Sequence, residues 1–83
     1  MPQLIDWTAD FKSELRKIDQ KTALRILESV AKLALTGEGD VRKLKAITPP
    51  QYRLRIGEYR VLFRKAGRRL FIEDVTTRQG TDY

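Results

Sequence analysis

Arg53, Arg55 and Arg60 stand in the run YRLRIGEYRVLF at residues 52–63, where apolar and basic residues alternate on either side of Gly57-Glu58. Alternation around such a pair is the pattern of a half-buried β-hairpin with a two-residue turn. The register follows: Ile56 faces Tyr59, Arg55 faces Arg60, Leu54 faces Val61, Arg53 faces Leu62 and Tyr52 faces Phe63. All three guanidinium groups then share one face. Like charges set directly opposite each other destabilise a sheet, so Arg55 against Arg60 calls for an offsetting partner such as a bound anion. Guanidinium forks bind phosphate oxygens bidentately and stay charged, and with a pKa above ~12 they move protons poorly. Such a face can bind and stabilise a phosphate, but proton transfer falls to another group.

The elements that must position this face come from both sides of it. Residues Gln3 to Trp7 form a β-prone run with Ile5 and Trp7 on one side and Leu4 and Asp6 on the other. Thr8 is placed to N-cap a helix over Ala9 to Ile18, whose Phe11, Leu15 and Ile18 make one buried stripe. Asp19 caps a second helix that runs to about Thr36 and is ended by Gly37. Its apolar face is broad, with Leu24, Leu33 and Leu35 flanking the central stripe. These leucines are expected in the core or the helix seam, the alternative being a docking groove for a partner helix.

Residues 37–51, GEGDVRKLKAITPPQ, read as a loop punctuated by glycine and proline, with Val41, Leu44 and Ile47 pinning it down. Arg42, Lys43 and Lys45 then lie outside and widen the electropositive surface. A second turn at Ala66-Gly67 pairs Arg64 with Arg69, Leu62 with Phe71 and Arg60 with Glu73. The outer face of the sheet thereby collects Arg53, Arg55, Arg60, Leu62, Arg64, Arg69, Phe71 and Glu73. Beyond Ile72 the alternation fails, and a bulge or an end of pairing is expected near Glu73 to Val75. The expected fold is α+β, in the order β-α-α-β-β-β, with a helical hairpin on one face of a small antiparallel sheet.

At 83 residues the chain is expected to form a single domain, residues 1–83. It has no cysteine and no histidine, which removes disulfides, thiolate or imidazole metal sites and imidazole acid-base catalysis. The acidic residues are scattered, so neither a metal nor another cofactor is expected. A net charge of +6 and a pI near 10.0 favour polyanionic or acidic partners. No run is long and apolar enough to span a membrane, and a cytoplasmic location is the simplest expectation.

Taken together, the DVRKLKAI segment, the YRLRIGEYRVLF hairpin, the strand that follows to Val75, and an arginine shortly before a tyrosine, Arg78 and Tyr83, resemble the RelE/ParE superfamily of bacterial type II toxins. The resemblance implies a toxin neutralised by an adjacent, acidic antitoxin. Members resembling RelE are ribosome-dependent endonucleases that cut mRNA, and those resembling ParE inhibit DNA gyrase. The RelE-like branch is the favoured one. It implies a catalytic set of Arg53, Arg55, Arg60, Arg78 and Tyr83. Lys43, Lys45, Arg64, Arg69 and Phe71, set by alternation and position on or beside the same basic surface, are the further RNA-binding positions expected if the substrate is RNA. RelE-like enzymes often carry lysine where this chain has Arg53 and Arg55.

Overall fold

The structure is a computed structural model and describes residues 2–77. Its elements are β1 (Leu4–Trp7), α1 (Ala9–Leu15), α2 (Gln20–Thr36), β2 (Asp40–Lys43), β3 (Tyr52–Ile56), β4 (Tyr59–Ala66) and β5 (Arg69–Thr77). The five strands form one sheet in the order β1-β5-β4-β3-β2, and both helices pack on one of its faces.

Helix boundaries follow local chemistry. The Thr8 hydroxyl accepts from the Phe11 N–H at 3.3 Å and donates to the Ile72 carbonyl at 2.6 Å, so one side chain caps α1 and ties it to β5. The Asp19 carboxylate accepts from the Thr22 N–H at 3.0 Å to start α2. Gly37, in the left-handed region at φ 79°, ends it by donating to the Leu33 carbonyl. α1 stops at Leu15 rather than Ile18, because the chain must straighten for Asp19 to act as a cap; its last turn tightens into bonds from Lys17 to Glu14 and Ile18 to Leu15.

The core joins Phe11, Ile26, Val30 and Leu33 of the helices to Leu54, Val61, Phe63, Leu70 and Ile72 of the sheet. Ile5 and Trp7 pack against it, as their alternation requires. Leu24 and Leu35 do not join it: they are 57% and 67% exposed, since the stripe that faces the sheet is Ile26, Val30, Leu33 and Ala34.

The β3–β4 hairpin has the register expected from the sequence, from Ile56 opposite Tyr59 to Tyr52 opposite Phe63. The β4–β5 turn differs. It is made by Gly67-Arg68, so that Ala66 pairs with Arg69 and Arg64 with Phe71. Its first central residue has φ 59°, a conformation open to Gly67 and strained for Ala66. Between this turn and Phe63 each pair moves by two positions, which leaves the faces unchanged. A bulge at Glu73 then shifts the register, which sets Val75 opposite Val61 and buries it. Glu73 therefore does not oppose Arg60, whose partner across the ladder is Thr76.

Two further departures concern the sheet itself. β1 lies parallel to β5, with Ile5 beside Leu70 and Trp7 beside Ile72, so the sheet is mixed. Alternation specifies which side chains face inward but not the direction of the neighbouring strand. Residues 37–51 are not all loop: β2 pairs antiparallel with β3, Val41 opposite Leu54 and Arg42 opposite Arg53. Among the described residues no helix is long and apolar enough to cross a membrane.

Candidate functional site

On the face of the sheet away from the helices, β2 completes two rows of side chains. One runs from Arg42 to Arg53 to Leu62, and the other from Asp40 to Arg55 to Arg60. Asp40 thus supplies an acid beside Arg55, but Arg42 and Arg53 form a second pair of opposed cations. Where β2 leaves the sheet, the Leu44 N–H donates to the Gln51 carbonyl at 2.9 Å and closes the loop between them. This loop and the rows enclose an open concavity of about 540 Å³. It is lined by Arg42, Lys43, Lys45, Arg53 and Arg60, with Leu44 and Ile47 as its apolar part. Among the described residues the lining has five basic side chains and no carboxylate, so it suits an anion rather than a metal cation.

Arg53 is the most constrained of these groups. Burial pushes its pKa down, as do the neighbouring Arg60, Arg42 and Arg55, while Asp40 pulls it up. Its Nε is buried and has no hydrogen-bond partner among the described residues. Leaving a buried donor unsatisfied costs about 1–3 kcal/mol, which an anion accepting from Arg53 would recover. The Thr76 hydroxyl, on the residue opposite Arg60, is likewise buried without a partner. Binding an anion here relieves repulsion among the arginines and supplies an acceptor where the described residues offer none.

The residues expected to act together are thus partly separated. Arg53 and Arg60 share the concavity with Lys43 and Lys45. Arg55 is exposed, pairs with Asp40 across the ladder and lines a different groove, to which Arg25 and Lys32 of α2 also contribute. Arg64 is held in an ion pair with Glu73 at 3.0 Å and also donates to the Pro49 carbonyl. Phe71 sits half-buried between Arg64 and Asp6, and Arg69 pairs with Ala66 and Leu4, so neither lines the concavity. Arg78 and Tyr83 lie outside the described residues.

Arg42 is the lining residue that the sequence reading left out of the site. Its signal was the alternation in DVRK, with Val41 inward and Arg42 outward, set among glycines and prolines that mark a loop.

Comparison with known proteins places these features in a wider group. The model of a family described as the ParE toxin of the type II toxin-antitoxin system, parDE, matches residues 5–79. No curated protein matches the chain. Among solved structures, the toxin-antitoxin complex RelBE2 from Mycobacterium tuberculosis contains a similar chain. Its TM-score is 0.82 at 19% identity, covering 93% of this chain and 92% of that one. The archaeal RelE-RelB complex from Pyrococcus horikoshii gives a TM-score of 0.79 at 22% identity, over 98% of this chain and 100% of that one. The RelB-RelE complex from Methanococcus jannaschii gives 0.66 at 22% identity, over 89% and 91%. At these identities the likeness is one of fold.

Proposed function

The chain belongs to the ParE toxin family of type II toxin-antitoxin systems, and from that premise we propose that it is a RelE-like mRNA endonuclease acting on the ribosome. The observation that carries this reading is the concavity in which Arg53 and Arg60 meet Arg42, Lys43 and Lys45 with no acid among the described residues. A surface that only docks on a protein has no need of a buried guanidinium N–H such as that of Arg53, which has no partner among the described residues. A phosphate does need one.

In the proposed reaction the ribose 2′-oxygen attacks the adjacent phosphorus and the bond to the 5′-oxygen breaks, leaving a 2′,3′-cyclic phosphate and a 5′-hydroxyl. Arg53 and Arg60 donate to the non-bridging oxygens as charge builds on them, and Arg42, Lys43 and Lys45 hold the flanking backbone. Arginine stays protonated through such a cycle, so these groups stabilise charge and do not carry the 2′-hydroxyl proton. Tyr83 is the proposed acceptor of that proton, and Arg78 is proposed to offset the charge on the departing 5′-oxygen, which takes its proton from water. No cofactor enters the scheme.

The partner proposed for control is a cognate acidic antitoxin, supported by the similar chains being found in complexes with RelB. A second reading, inhibition of DNA gyrase by docking, is favoured by the description of the matched family. Incubating the purified toxin with programmed ribosomes and analysing the RNA ends tests the first reading: fragments ending in 2′,3′-cyclic phosphate are expected. Intact RNA, together with loss of gyrase supercoiling, would establish the second.

A further inference from the structure

Arg64 and Glu73 lie near the middle of the outer face, yet neither lines the concavity. Their contacts run instead to the loop that helps to form it. Arg64 Nε donates to Glu73 at 3.1 Å, and a second guanidinium nitrogen donates to the Pro49 carbonyl. Gln51 Nε2 donates to the other side of the same carboxylate at 2.9 Å. Glu73 thus accepts from a strand residue and a loop residue at once, and it can do so because the β5 bulge falls at its position. Residues 44–51 are tied to β4 and β5 at Pro49 and Gln51, and to themselves at Leu44. Leu44, Lys45 and Ile47, which this loop supplies, form one part of the lining, and Arg53 and Arg60 form another.

We propose that Arg64 and Glu73 are positioning residues for the anion site: they latch the 44–51 loop so that Lys45 and its apolar neighbours are held at the distance from Arg53 and Arg60 that one RNA strand requires. The inference rests on the reading of this concavity as an RNA site and adds residues that do not touch the RNA. Preorganisation of this kind lowers the ordering cost of binding, because the loop is already fixed when the phosphate arrives.

Charge makes the inference testable. Glu73→Ala takes the net charge from +6 to +7, since one negative charge is removed. Electrostatics alone then demands tighter binding of any polyanion. A latch demands weaker binding. Glu58→Ala, in the exposed β3–β4 turn, makes the same change in charge without touching the loop. Arg53→Ala reports whether the concavity binds RNA at all.

The measurement is fluorescence anisotropy of a labelled single-stranded RNA oligonucleotide, at fixed salt and below the melting temperature of each protein. We expect Arg53→Ala to lose affinity strongly, Glu58→Ala to match or exceed wild type, and Glu73→Ala to bind about three- to ten-fold more weakly despite its added charge. If Glu73→Ala melts within the assay range, Gln51→Ala removes one arm of the latch at constant charge and is expected to weaken binding in the same direction. Glu73→Ala or Gln51→Ala binding as tightly as its charge-matched reference, while Arg53→Ala weakens, overturns the latch alone. An Arg53→Ala protein with wild-type affinity overturns the RNA site and the latch together.

Discussion

Arg42 and Arg53 face each other directly across the β2–β3 ladder, two guanidinium groups opposed at the wall of a concavity that contains no acid among the described residues. The pair destabilises the free protein and fits a protein that spends its bound state on a polyanion. Arg42→Thr should therefore separate stability from binding. A cross-strand pair is worth roughly 0.2–1 kcal/mol, and relief of this one is expected to stabilise the fold by an amount in that range. RNA affinity should fall, and its dependence on salt should become less steep by about 0.7 in the double-logarithmic slope for single strands. Denaturant melts and RNA titrations at several salt concentrations read both quantities. A less stable variant with an unchanged slope would place Arg42 outside the site.

Asp74 offers a prediction in pH. Burial raises its carboxyl above the ordinary value of 3.8, and Glu14 and Asp10 add to the rise, while the bond from the Val75 N–H opposes it. Because the folded pKa lies above the unfolded one, the ionised group penalises the fold. The penalty is complete above the raised value, shrinks as pH falls through it and vanishes below 3.8. Asp74→Asn, which keeps an acceptor for Val75, should be more stable than wild type at neutral pH and equal to it in acid below 3.8. Chemical denaturation at the two pH values tests this, and an equal difference at both would remove the titration as its cause.

Thr8 ties the start of α1 to β5 through one hydroxyl. Thr8→Val keeps the shape and deletes all of these bonds, which should lower stability by about 1–2 kcal/mol. For a domain of this size each kcal/mol corresponds to about 4–8 °C in melting temperature. Thr8→Ser should retain most of the wild-type value, and a Val variant that melts with wild type would show that the tether contributes nothing.

The Tyr52 to Phe63 hairpin could be read to the residue because Gly57 admits one turn position and alternation runs unbroken on both sides. The next turn slipped because Ala66 and Gly67 are adjacent small residues, and only the positive φ of Gly67 chooses between them. The strand Asp40–Lys43 was hidden for another reason. It is an edge strand of four residues whose pairing partner, β3, is separated from it by a loop, and local signals around it all mark turns. Arg53 and Arg60 could be placed on one face from alternation alone. Assigning Arg64 to Glu73 could not, because it depends on the Gly67-Arg68 turn, which moves Glu73 away from Arg60, and on the bulge at Glu73.

The central claim is that Arg53 and Arg60 stabilise a phosphate during RNA cleavage, and mapping transcript ends after induction of the toxin tests it most directly. Removing one preorganised donor from such a site typically lowers the rate by about a hundred- to a thousand-fold. Primer extension should therefore show new 5′ ends within translated messages for wild type and none for Arg60→Ala, with the variant still folded and still captured by its antitoxin. Transcripts left whole by the wild-type toxin while cells stop growing, or equal cleavage by Arg60→Ala, would contradict it.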